Sequence, residues 1–213
     1  MTGEISLSFE GKGDETIRIT ASPSMMHPEQ CTFYVSMPLY PNNSAHFPNR
    51  EAGKGSPLVE SLFAIDHVAE CTVSDATVRV TLTGGNADWE EVIPRVGISI
   101  RDAILSDQDA IAPAVTESQL PPEQLRERVQ KVLDTVINPA VAQHGGVVDL
   151  IDVTNNTVYL EFGGGCQGCG MINVTLKYGV ERTIREEVPE VGEILDSTDH
   201  AAGRNPYYAP SSK

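Results

Sequence analysis

Eight consecutive residues, Gly163-Gly164-Gly165-Cys166-Gln167-Gly168-Cys169-Gly170, constrain this chain more than any other stretch. Glycine weakens the interior of helices and strands alike, so a run this rich in it marks a break between elements. Before it, Thr157 to Phe162 alternates Val158, Leu160 and Phe162 with other residues and reads as a strand with one buried face. After it, Met171 to Val188 carries Ile172, Leu176, Val180 and Ile184 every four residues and reads as a helix. Two cysteines therefore lie between a strand end and a helix start. Thiolates separated by two residues can turn toward one metal centre, the spacing used in zinc and iron–sulfur sites. The glycines let backbone approach a bulky inorganic core, while nearby N–H groups and the positive end of the helix favour an anionic one.

The surrounding segment completes a small unit. Val147 to Val153 and Thr157 to Phe162 flank Asn155-Asn156, a two-residue turn, because asparagine tolerates positive φ. Upstream, Leu125, Val129, Val132, Val136 and Ile137 fall at helical spacing, with Pro122 suited to the first turn. Pro139 is expected to end or kink that helix, and Gly145-Gly146 to stop what remains. Val191 to Leu195 is a last strand. The reading is α-β-β-α-β over residues 122–196, followed by a tail at 197–213.

Ser106 to Pro121, SDQDAIAPAVTESQLP, is small, polar and proline-bearing without helical or strand period, and reads as a flexible linker. Before it, Glu15 to Ala21 and Thr32 to Met37 read as strands, Asn42 to Ser56 as a polar loop, and Pro57 to Phe63 as a short helix. Val68 to Val73 and Thr77 to Leu82 form a hairpin around Ser74-Asp75-Ala76. Asp88 opens a helix to Ile104, bent or restarted at Pro94. The order β-β-α-β-β-α over residues 1–105 gives a second α+β domain. The fold class is α+β: two small domains joined by the linker at 106–121.

Ligand arithmetic bears on assembly. A tetrahedral zinc site or a cubane cluster takes four protein ligands, or three and an open position. The second domain offers only Cys166 and Cys169, while Cys31 and Cys71 lie across the linker, each alone on a strand. A symmetric dimer placing two such loops face to face supplies four thiolates, and is preferred to completion within one chain. Two other readings use the same pair: a thiol–disulfide oxidoreductase, whose CxxC also sits at a helix N-terminus, and a structural zinc dimer. The redox reading is kept as the alternative and ranks second, because that motif belongs with a βαβ unit, whereas the strand before Cys166 arrives from a tight hairpin.

A net charge of −15, with −9 and −6 on either side of residue 116, excludes a phosphate-tracking nucleic-acid binder and docking to an anionic membrane surface. No apolar run reaches membrane-spanning length, and the N-terminus has no signal or transit pattern, so a cytoplasmic location is expected. Four cysteines among 213 residues make thiols or metal ligands rather than a disulfide scaffold.

The stretch from Leu125 to Asp196, above all HGGVVDLIDV and VYLEFGGGCQGCGMINVTLKYGVERTIREEVPEV, resembles the NifU-type C-terminal domain of Nfu iron–sulfur carrier proteins. SPLVESLFAIDHVAECTVSDATVRVTL, with Ala87-Asp88-Trp89-Glu90, resembles the Nfu N-terminal domain more loosely; Met25-Met26-His27 departs from it. The resemblance implies a 4Fe–4S cluster bound by Cys166 and Cys169, one per homodimer. It implies a cluster received from upstream donors and passed to apo-proteins. It also implies that the first domain aids target recognition or cluster handling. Transfer by ligand exchange requires no covalent catalysis, so the chain is not expected to be an enzyme.

Other residues read as structural. Cys31 and Cys71 are expected to be buried thiols. His144 is expected to cap a helix end rather than ligate metal, and His27, His46, His67 and His200 have no ligand-like companions. Trp89 is expected to anchor a helix start.

Overall fold

Six strands make most of the first half of the chain a sheet. The computed structural model describes residues 3–84, 88–164 and 170–197, with the backbone alone for 170–175. The chain divides into two units, Met1–Gln119 and Leu120–Lys213.

In the first unit, six antiparallel strands run in the order β1-β2-β3-β6-β5-β4: β1 Ile5–Glu10, β2 Thr16–Pro23, β3 Gln30–Val35, β4 Tyr40–Phe47, β5 Val68–Asp75 and β6 Thr77–Leu82. Ile17, Ile19 and Ala21 of β2, Phe33 and Val35 of β3, and Val78, Val80 and Leu82 of β6 point to one face. Leu58, Val59 and Leu62 of α1 (Pro57–Leu62) join that core, as do Ile93, Val96 and Ile100 of α2 (Trp89–Leu105). Each such side chain, fully buried, contributes roughly 1.5–3 kcal/mol of transfer free energy. Asp88 caps α2 by accepting from the Glu90 N–H at 3.1 Å, and Trp89 donates its indole N–H to the Pro28 carbonyl at 2.7 Å. The expected anchor is in place. Pro94 does not restart the helix, which runs through it on its exposed side, where water can serve the Glu90 carbonyl left without a helical donor.

Three elements differ from expectation. Ile5, Leu7 and Phe9 alternate along β1, a strand that was not assigned. The expected loop from Asn42 begins inside β4, an edge strand whose register shifts between Tyr40 and Ser44. Pro41 and the positive φ of Asn42 (52°) hide its alternation, as an edge position with a bulge permits. The expected linker at 106–121 is largely a docked strap. Ile111 is buried, the Ala112 N–H donates to Ser56 Oγ at 2.9 Å, and α3 (Pro113–Glu117) follows. Tyr40 and Thr116 hydroxyls bond at 2.8 Å, and Gln119 Nε2 donates to the Ser44 carbonyl at 2.9 Å.

In the second unit, α4 (Pro122–Val132) passes into a π-turn, Leu133–Ile137, then α5 (Asn138–Ala142). The wide turn admits Pro139 without ending the helical path. Its extra residue also rotates the chain, so Leu133 and Ile137 are buried while Val136, expected on the apolar side, is 46% exposed. Asn138 then pairs with β7 like a strand, its side chain exchanging bonds of 2.9 and 3.0 Å with the Val148 backbone. β7 (Gly146–Thr154) and β8 (Thr157–Gly164) form the expected hairpin, with φ of 54° at Asn155 and 57° at Asn156. After α6 (Gly170–Glu187), β9 (Ile194–Asp196) returns parallel to β8, giving a three-stranded sheet in the order β7-β8-β9. Both units are α+β. Among the described residues no helix is long and apolar enough to cross a membrane.

Candidate functional site

The connection from β8 to α6 is built from its flanks inward. Gly164 closes β8 with φ +63°, opposite Gly146 in the hairpin register. A Cβ on Gly164 would run into the Gly145 carbonyl, and one on Gly163 would stand 2.8 Å from Cγ1 of Val147. Gly164 thus serves the close approach of the α5–β7 turn to the end of β8, and Gly163 leaves room for the Val147 side chain of β7. Gly145 itself holds φ +73°. His144 is exposed in that turn, its N–H donating to the Val141 carbonyl at 2.9 Å, at the helix end where it was expected.

On the far side α6 begins at Gly170, and its first turn contains no acidic residue. Its free amides therefore present the positive end of the helix with no carboxylate of that turn competing for them. Strand carboxyl end and helix amino end meet here, an arrangement that favours anions in sheets with parallel crossovers. Cys166 and Cys169, with Gly165, Gln167 and Gly168, lie outside the described residues. The flanks fix only where that pair enters and leaves.

One expectation loses its support. β8, α6 and β9 form a parallel βαβ unit, although a hairpin precedes β8. The connection type that ranked the redox alternative second does not separate the two readings.

The other cysteines are removed from metal chemistry by their surroundings. Burial pushes the Cys31 thiol up to about 12, and burial, with the Glu70 carboxylate beside it, raises that of Cys71 as well. Both are buried in the sheet core and protonated at neutral pH, and only the thiolate ligates. They share one cross-strand row, Cys31 opposite Val80 and Val80 opposite Cys71. Among the described residues, no three His, Cys, Asp or Glu side chains gather as a metal site. His46 spends its ring on the Thr72 hydroxyl at 3.0 Å and lies 3.7 Å from Glu70; His27 lies 3.4 Å from Glu29.

Sequence reasoning passed over Lys177. Its ammonium pairs with the Asp196 carboxylate on β9 and lies 5.6 Å from the centre of the Phe162 ring on β8. Its place one residue after Leu176, beside the buried row of α6, was the available signal.

Residues 129–195 match the family described as NifU-like domain, and residues 17–107 match scaffold protein Nfu/NifU N terminal. The chain has the two-domain Nfu architecture. This Nfu-type chain is similar to the Fe/S biogenesis protein NfuA of Pseudomonas syringae pv. syringae (strain B728a), with 52% identity over 88 residues, 39% of this chain and 45% of that protein. The Fe/S biogenesis protein NfuA of Pseudomonas aeruginosa (strain LESB58) is 52% identical over 85 residues, 39% of this chain and 44% of that protein. That of Azotobacter vinelandii is 49% identical over 85 residues, with the same shares. The Nfu-type chain spans less than half the length of the curated relatives it matches.

Proposed function

We infer that this chain carries an iron–sulfur cluster on Cys166 and Cys169 and delivers it to apo-proteins. The observation carrying this reading is the position of the CxxC pair. It lies within the NifU-like match, between a glycine-closed strand end and a helix start whose first turn is free of carboxylates. Relatives that are 52% identical to this chain over 88 and 85 residues are named for Fe/S biogenesis. Two thiolates are half the protein ligands of a cubane, so a second copy of the chain supplies the other two, and one 4Fe–4S cluster is shared by the pair.

Transfer is ligand exchange. Thiols of the target lose their protons and bind iron as thiolates, while the departing Cys166 and Cys169 take protons up. The cluster moves whole and no electron changes hands. The chain acts as a carrier rather than an enzyme, in the cytoplasm, receiving its cargo from an upstream donor. The first unit serves recognition of targets or handling of the cluster.

Anaerobic reconstitution with iron and sulfide tests the reading through absorbance, iron and sulfide analysis, and sizing. A brown dimer with about four irons per pair supports the carrier. Passage of the cluster to an apo-target, lost in Cys166→Ala, supports delivery. The βαβ setting of the pair keeps one alternative in play, a thiol–disulfide oxidoreductase. A colourless monomer that cycles a Cys166–Cys169 disulfide favours it over the carrier, and one zinc per dimer favours a structural zinc site.

A further inference from the structure

Leu176, Val180, Ile184 and Val188 follow one another at intervals of four along α6 and into the turn after it. The last three are buried in the core of the second unit, and Leu176 packs against that core. Four residues advance a helix by about 6 Å and roughly one turn. A helix slipped by one turn would therefore offer similar side chains to the same pockets. Apolar packing orients α6 but distinguishes poorly among axial registers. Polar contacts make the distinction.

At the far end, Arg185 donates to the Gly192 and Val191 carbonyls at 2.8 and 3.2 Å. Nearer the cysteine connection stands Lys177, paired with Asp196 and set over Phe162. The Asp196 side chain is only 9% exposed, and Asp196 faces Leu160 across the β8/β9 ladder. Phe162 lies two residues before Gly164, and Lys177 seven residues after Gly170. One side chain thus ties the strand that enters the connection to the helix that leaves it.

We propose that Lys177 is a positioning residue for the Cys166–Cys169 pair: its ion pair with Asp196 and its seat over Phe162 set the axial register of α6 against β8, and so fix the two ends of the connection where both thiolates reach one metal centre. The identity of the cargo rests on the carrier reading above; the positioning of two thiols does not. A buried ion pair adds little net stability, and its best-attested use is to select one register among several. Loss of Lys177 therefore costs metal retention more than folding.

The test uses the full chain. Lys177→Met keeps an apolar stem over Phe162 and removes the charge. Lys177→Arg restores a cation able to pair and to stack on the ring. The double variant Lys177→Met/Asp196→Asn avoids leaving a buried carboxylate without its cation and keeps the test alive if the single variant fails to fold. Three quantities are measured: melting of the apo chain, the rate of iron loss from the reconstituted chain to a chelator, and Cd²⁺ affinity of the reduced apo chain by thiolate charge-transfer absorbance. The double variant is expected to melt close to the unaltered chain, to lose iron on the order of tenfold faster, and to bind Cd²⁺ on the order of tenfold more weakly. Lys177→Arg recovers both. Metal retention equal to that of the unaltered chain overturns the proposal. So does a decline no greater than the loss of folded protein, or an arginine that restores nothing. An unaltered chain that takes up no cluster sinks the carrier reading alone, and the Cd²⁺ measurement then decides on Lys177 by itself.

Discussion

The two units differ in where their cysteines fall along the chain. In the first, Cys31 and Cys71 face the core from β3 and β5 with Val80 of β6 between them. Two strand spacings separate their Cα atoms, about 9.6 Å, beyond the roughly 7 Å that a disulfide can bridge. Burial holds both thiols protonated. In the second unit, the pair falls in the connection between Gly164 and Gly170, where a strand has ended and a helix has begun. A cysteine on a sheet's inner face is a small apolar filler, whereas a connection from a strand's carboxyl end to a helix's amino end is where the carrier proposal puts its ligands. On that proposal, position along the chain, rather than residue type, separates filler from ligand.

The largest effect that tests this contrast is loss of the cluster. Cys166→Ala or Cys169→Ala is expected to leave no iron after reconstitution. Cys31→Ala and Cys71→Ala are expected to keep full iron content while lowering stability by roughly 1–3 kcal/mol each, the cost of a small cavity in a packed sheet. Iron and sulfide analysis beside thermal melting gives both numbers. Equal loss of iron from the two pairs breaks the contrast.

Next in size is a pair of glycine substitutions, one in each unit. Gly164→Ala places a Cβ against the Gly145 backbone at positive φ, which cannot yield without moving the hairpin. It is expected to cost about 3 kcal/mol or more in the second unit. Gly97→Ala in α2 meets the end of the Leu7 side chain, which can turn aside, and is expected to cost about 1 kcal/mol. Denaturant melts of the full chain, followed by circular dichroism, rank the two. A reversed order would mean that Gly164 is placed for something other than the α5–β7 turn.

Much of this was legible because its signals are local. Asn155-Asn156 announced a turn that needs positive φ, Asp88 announced a helix start, alternation announced β2, and runs of β-forming residues announced β3, β5 and β6. The glycine frame announced the break between β8 and α6, although Gly164 answers to the Gly145 backbone and Gly163 to the Val147 side chain. What stayed hidden depends on contacts between distant residues. The strap from Ala110 to Gln119 is held by Ser56, Tyr40 and Ser44, single partners that leave no period in its own sequence. The bulge in β4 erased its alternation, and the π-turn before Pro139 moved Val136 out of the core. The parallel return of β9 was illegible because three residues carry it.

The strap gives a third, smaller test. Ile111→Ala removes its one fully inserted apolar side chain and is expected to cost about 2 kcal/mol. Because the strap lies at the border of the first unit, the loss should appear as cleavage within residues 106–121 under limited proteolysis, with the global melt moving less. A strap as resistant as in the unaltered chain would show that the Gln119 and Thr116 bonds to the β4 region hold it alone.

The smallest effect appears only in alkali, and it separates the two units without touching the cluster. The Cys31 thiol titrates near 9.0 when free and at about 12 in the folded chain, and that of Cys71 is also raised. A raised folded value means that stability is intact below pH 9, where both states are protonated. Above it the unfolded chain sheds protons that the folded one retains. Stability then falls as pH climbs toward 12, by about 1.4 kcal/mol per pH unit for each such thiol. Melting of the first unit between pH 9 and 11 is expected to steepen accordingly, and Cys71→Ala to flatten that slope relative to the unaltered chain at equal salt. Other groups that ionise in this range are common to both proteins, so the difference in slope isolates the thiol. An identical slope would mean that Cys71 meets water in the folded state, and the division between filler and ligand would then have to rest on the helix start alone.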